Sequence, residues 1–230
     1  VQTRKEKRGT GDLGGKGRPF ERFCRAAIAV ANLSQPLEVV CLHLDHVRET
    51  NRLSQLRDLV QSQQVPGRSP FQVWCGDFNA LTLRDYEAHE LARITEHRAR
   101  SNWENPVDHV TSCMTAPMGS APLSRGSGRA VQPGLGFVDC WHAAAEEASG
   151  PLGTSRFDSR IDYVYCSPAL AAAKDGAEAG GSAGGAPPAV VRRCEHLQTI
   201  PHVSDHNAVF ALLEIAGAGE EPRLDAARQP

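Results

Sequence analysis

The stretch Gly76-Asp77-Phe78-Asn79-Ala80-Leu81-Thr82 (GDFNALT) follows the apolar run Phe71-Gln72-Val73-Trp74-Cys75 and puts an acid and an amide two residues apart. The run is short and is bounded by Ser69-Pro70 and Gly76-Asp77, which predicts a buried strand over Phe71 to Cys75. Read alone, GDFN is also a sequence that turns favour, because Asp and Asn side chains bond the backbone two residues on. What separates a polar turn from a working strand end is the company the stretch keeps.

On its N-terminal side, Arg25 to Ala31 and Leu37 to Leu44 read as strands joined by the turn-forming NLSQP, able to pair as a hairpin. From Val47 to Gln63, Leu53, Leu56, Leu59 and Val60 recur at helical spacing, and Pro66-Gly67 closes this amphipathic helix. On the C-terminal side, Leu83 to Ala99 predicts a charged surface helix, and residues 113 to 136, dense in Pro, Gly and Ser, predict a long loop. Gly136 to Ala145 opens a further helix. Ile161 to Cys166 alternates as a strand, while Val190 to Cys194 and Ala208 to Ile215 form the last strands. Residues 1 to 24 read as a basic, Gly-rich arm, 171 to 188 as a flexible Ala/Gly insertion, and 217 to 230 as a disordered tail. Strands with interleaved helices indicate a layered sheet-and-helix domain over 25 to 216.

A composition of 40% hydrophobic and 23% charged residues is that of a globular chain, and the net charge of −2 supplies no global field for nucleic acid. Seven cysteines, odd in number and without a CxxC pair, fall mostly in apolar runs such as VVCLH and VYCSP. They predict buried thiols in a reducing compartment and weigh against a secreted, disulfide-stapled binding domain. No apolar segment reaches membrane-spanning length, and the opening residues show no signal-peptide pattern, so an intracellular protein of cytoplasm or nucleus is expected. The chain opens on Val1, which suggests a fragment or a processed product.

Polar clusters stand at the edges of the predicted strands: HLDH (His43 to His46), GDFN, RIDYVY (Arg160 to Tyr165) and SDH (Ser204 to His206). Side chains there are held by a sheet yet face an open edge. Each cluster has a plain reading as surface histidines, a turn or a cap. Asp162, an acid within an apolar strand, needs a partner, for which His206 or Arg160 would serve. Together the clusters are poorly explained as independent turns.

Their order, HLDH before a helix bearing NRLSQL, then GDFNALT, RIDYVY and SDHNAV, resembles the endonuclease/exonuclease/phosphatase superfamily over residues 25 to 215. The resemblance implies a four-layer α/β/β/α sandwich of the deoxyribonuclease I-like type and a phosphoester hydrolase, nuclease or phosphatase, dependent on Mg²⁺ or Mn²⁺. It implies that Asp77 activates the attacking water and that Asn79 bonds that water or a phosphate oxygen. His206 would contact the scissile phosphate, with Asp162 fixing its tautomer, and Asp205 would help hold the metal. His43 takes the place of a phosphate-contacting histidine, and Arg160 stays structural beside Asp162. The superfamily also has an early strand ending in Asn and a metal-binding Glu in a QE stretch, upstream of the segment corresponding to Arg25. Glu6 and Glu21 lie in the basic arm and Asn32 in a turn, so an N-terminally incomplete domain is expected. The alternative is a non-catalytic binding or scaffolding member of the fold, which has no physical need of Asp77, Asp162 and His206 together. The substrate is expected to be a phosphoester in nucleic acid, phospholipid or inositol phosphate.

Overall fold

The computed structural model describes residues 3–5, 22–63, 66–120, 133–144, 148–171, 188–199 and 203–216. A six-stranded sheet runs in the order β1 (Thr3–Lys5), β2 (Arg22–Ile28), β3 (Leu37–His43), β4 (Gln72–Asp77), β7 (Asp162–Cys166), β5 (Val138–Asp139). A three-stranded sheet joins β6 (Ala148–Ser149), β8 (Ala189–Leu197) and β9 (Ala208–Ile215). The helices are α1 (Glu49–Gln63), α2 (Ala88–Arg100), α3 (His109–Thr115) and α4 (Cys140–Ala144).

The hairpin expected from NLSQP forms, with β2 and β3 antiparallel, while β3 and β4 are parallel through the α1 crossover and β7 returns antiparallel to β4. Alternation then divides each strand between two faces. One face of the large sheet packs Val40, Leu42, Trp74, Tyr163 and Tyr165 against Leu56, Leu59 and Val60 of α1 and Val110, Cys113 and Met114 of α3. The opposite face carries Leu37, Val39, Val73 and Cys166, which meet Val191, Val209, Ala211 and Leu213 of the small sheet. Among the described residues, sheet packs on sheet with helices over one outer face, three of the four layers of the deoxyribonuclease I-like α+β sandwich that the resemblance implies.

Several boundaries differ. Thr3–Lys5, read as part of a loop, pairs with Ile28 to Ala26, and β2 begins at Arg22 rather than Arg25. Partner strands dictate these extensions, and no hydrophobic period announces them. Cys113 to Thr115, read as loop, closes α3 because Val110, Cys113 and Met114 bury against α1. The Ala/Gly insertion, apart from Ala171 and Pro188, and the tail from 217 onward lie outside the described residues. Cys113, Cys140, Cys166 and Cys194 are buried, as expected, but Cys24 and Cys41 are exposed and Cys75 only half-buried, because the small sheet covers only part of that face. No described helix is long and apolar enough to cross a membrane.

Candidate functional site

The site begins as a register. His43, Asp77 and Asp162 are cross-strand partners at the ends of β3, β4 and β7, so their side chains lie in one row on one face. Gly76 allows the strands to come this close. Its φ is +125°, and a β-carbon there would lie 2.1 Å from the Leu42 carbonyl oxygen, a backbone approach only glycine permits. His206 joins from the segment leading into β9, two residues before that strand, and forms an isolated antiparallel bridge with Ser155.

Asn79, at φ 49°, turns the chain back after the strand so that its backbone N–H donates to Asp77 Oδ1 at 2.7 Å. Its side-chain amide donates to Asp77 Oδ2 and to the Leu44 carbonyl, both at 3.0 Å. GDFN is therefore both things at once: an Asx turn and the cradle of a carboxylate. Burial, and then the charge of Asp162, push Asp77 up to about 6 against the opposing Asn79 hydrogen bonds and the charge of His206. His43 Nε2 lies 3.4 Å from Asp77 Oδ2.

Asp162 is held from behind by Thr154, whose hydroxyl accepts the Ile161 and Asp162 N–H groups at 3.0 Å. In front, Asp162 Oδ2 meets His206 Nδ1 at 2.8 Å. Burial disfavours the charged ring of His206, but the Asp162 hydrogen bond and the charges of Asp162, Asp77 and Asp205 outweigh it and hold its pKa above the ordinary range. With Nδ1 engaged, Nε2 is the ring nitrogen left to meet a ligand.

Asp205 stands outside this group; its carboxylate, with the side chain 60% exposed, lies 3.9 Å from Arg156 Nε. Arg160 is not beside Asp162. Strand alternation begins only at Asp162, and the Arg160 side chain turns to the helix-covered face, where it pairs with Asp85 and Asp139. Asp45 caps the approach to α1, its Oδ1 accepting the Val47 and Arg48 N–H groups. Sequence reasoning missed Thr154 and Asn207. Asn207 ties the loop behind Asp162 by donating its side-chain amide to the Gly153 carbonyl and its N–H to that of Thr154. The Thr154–Asn207 link is long-range, with no local signal beyond the position of Asn207 next to SDH.

Asp77, Asp162 and His206 offer ligand atoms within 4.8 Å of one another. Two hard carboxylate oxygens suit Mg²⁺ or Mn²⁺, which take few protein ligands and keep several waters. Burial first, and then the charge of Asp162, disfavours the Asp77 carboxylate, and a cation between the two acids would relieve the second of these. The donor set therefore fits a divalent cation.

No protein-family model matches the sequence, and no curated protein matches it. Solved structures do. An endonuclease/exonuclease/phosphatase from Bacteroides vulgatus aligns at 17% identity and a TM-score of 0.53, over 93% of this chain and 64% of that one. A conserved protein of unknown function from Enterococcus faecalis aligns at 16% identity and 0.42, over 84% and 55%. A humanized D. rerio TDP2 aligns at 14% and 0.44, over 93% and 66%. The first of these shows the fold alone: the chain shares the fold of that Bacteroides vulgatus protein. It spans between 55% and 66% of the length of these three proteins.

Proposed function

We propose that this chain carries the catalytic strand ends of a divalent-metal-dependent phosphoester hydrolase. The observation that supports the reading most is the in-register pair Asp77 and Asp162, with His206 bonded to Asp162. The fold of the Bacteroides vulgatus protein, described as an endonuclease/exonuclease/phosphatase, agrees with it.

Asp77 and Asp162 would hold Mg²⁺ or Mn²⁺, and Asp205 would join them only by rotating away from Arg156. When bound, the cation neutralises charge on the phosphoryl oxygens. Asp77 would orient the attacking water and accept its proton; its pKa of about 6 belongs to the metal-free site, and a bound cation would favour the ionised form further. Asn79 fixes the orientation of that carboxylate through both of its oxygens. Charged His206, oriented by Asp162, donates from Nε2 to a phosphate oxygen. His43, alongside Asp77, offers a second donor on the opposite flank. The substrate class is a phosphodiester or phosphomonoester.

The test has two readouts. Calorimetric titration with Mg²⁺ and Mn²⁺ is expected to show binding to the wild-type chain and its loss in Asp77→Asn. Hydrolysis of DNA, RNA, phospholipid and inositol phosphate substrates is expected only with added metal, and to fall by about 10² to 10⁴ in Asp77→Ala and His206→Ala. Metal-independent turnover, or unchanged turnover in both variants, overturns the mechanism; metal binding without turnover on any substrate favours a binding module.

A further inference from the structure

One row below the site, on the same sheet face, lies a second cluster that the proposed hydrolysis does not use. Cys24 is the cross-strand partner of Cys41, and Cys41 of Cys75. Cys41 precedes His43 by two residues on β3, and Cys75 precedes Asp77 by two on β4, so the thiol row shares their face. Cys24 and Cys41 are exposed, Cys75 is half-buried, and all are free.

We propose that this row is an oxidation site at which Cys24 and Cys41 form a cross-strand disulfide, with Cys75 as an alternative partner for Cys41. Residues directly opposite on antiparallel strands stand about 4.5 to 5.5 Å apart between α-carbons, inside the roughly 4.4 to 6.8 Å range that a disulfide spans. Neighbouring parallel strands, about 4.8 Å apart, also meet it. Cys24 and Cys75 are separated by two strand spacings, near 10 Å, and cannot join without backbone movement. Cys41 is therefore common to both permitted bonds. Its thiol interacts with those of both neighbours. The first attack is assigned to Cys24, which is exposed at the end of the row.

With glutathione disulfide as oxidant, the Cys24 thiolate displaces one glutathione thiolate to give a mixed disulfide. The Cys41 thiolate then attacks the Cys24 sulfur and releases the second glutathione. Two protein thiols lose two electrons and two protons, and glutathione disulfide takes them up as two molecules of glutathione. The other thiol group, Cys140, Cys166 and Cys194, provides an internal contrast. Cys140 and Cys166 have their sulfurs 3.5 Å apart, yet all of these residues are buried from a dissolved oxidant.

The experiment equilibrates the folded 230-residue chain in glutathione buffers from fully reduced to fully oxidised, quenches by alkylation and maps disulfide-linked peptides. Two of the seven thiols are expected to be lost from the wild type, in a Cys24–Cys41 linkage. Cys75→Ser retains that bond, Cys24→Ser shifts it to Cys41–Cys75, and Cys41→Ser, checked for folding by circular dichroism, forms none. A bond in Cys41→Ser, one containing Cys140 or Cys166, a reaction that stops at mixed glutathione adducts, or no bond in the wild type overturns the assignment. Cation titration of the same variants is a separate readout, so the hydrolase reading stands or falls independently.

Discussion

Asp77 concentrates the chemistry of the site because opposing forces act on one carboxylate. Burial and the charge of Asp162 favour its protonated form, while the Asn79 N–H and amide favour its charged form, and the balance settles at about 6. A carboxyl ¹³C titration of the metal-free chain is expected to show that midpoint, and Asp162→Asn is expected to lower it toward the ordinary 3.8 without reaching it, since burial remains. No movement in Asp162→Asn would remove the basis for treating the two acids as a shared cation place. Asn79→Gly keeps the left-handed backbone available but deletes the amide, and is expected to move the midpoint upward. Asn79→Ala adds backbone strain of about 1 to 2 kcal/mol, so a larger loss of stability than in Asn79→Gly, read from urea unfolding, separates strain from hydrogen bonding.

At the scale of elements, the site is a consequence of strand register. Gly76 is the position where that register is most exposed to test. A β-carbon at Gly76 would lie 2.1 Å from the Leu42 carbonyl oxygen, and the backbone φ of +125° is one that side chains resist. Gly76→Ala is therefore expected to cost more than about 2 kcal/mol of stability, or to prevent folding. A wild-type melting curve would contradict the β3–β4 register. Much at this scale was legible: β4 and β9 are apolar runs with turn residues at their ends, and α1 shows its buried stripe of Leu56, Leu59 and Val60. What was not legible follows from partners rather than local pattern. β5 and β6 have two residues each, too few for a period, and α3 lies across a boundary where Pro, Gly and Ser dominate the composition. The clusters HLDH, GDFN, RIDYVY and SDH could be located at strand ends, but alignment of His43, Asp77 and Asp162 in one row depends on β3 and β4 being parallel and β7 antiparallel. The cradle of Thr154 and Asn207 depends on contacts across 53 residues, and no short window contains them.

At the scale of the molecule, the helix-covered face is fastened by a buried charge network that the sequence did not suggest. Arg160 donates to Asp85 and Asp139, and His142 lies 2.8 Å from Asp85 and 3.2 Å from Asp139. This joins the segment before α2 to β5, α4 and the approach to β7. Asp139 meets His142 from three residues on and Arg160 from 21 residues on, and only folding brings the second of these to it. Hydrogen bonds that the His142 ring donates to Asp139 and then to Asp85 raise its pKa from 6.5 to about 9 despite burial, while the Arg160 charge and the His142 hydrogen bond hold Asp139 well below the usual carboxylate range against its own desolvation. Because the folded His142 binds its proton more tightly than the unfolded chain does, its contribution to stability is complete below pH 6.5 and is lost as pH rises through about 9. The loss over that window is of the order of 3 kcal/mol at most, from roughly 1.4 kcal/mol per unit. His206, also raised, contributes with the same sign, so the decisive quantity is the difference between wild type and His142→Gln. Urea unfolding across that range is expected to show wild-type stability declining more steeply than that of His142→Gln, with the two curves converging toward pH 9. Parallel curves would mean that His142 is uncharged in the fold and that Arg160 alone balances Asp85 and Asp139.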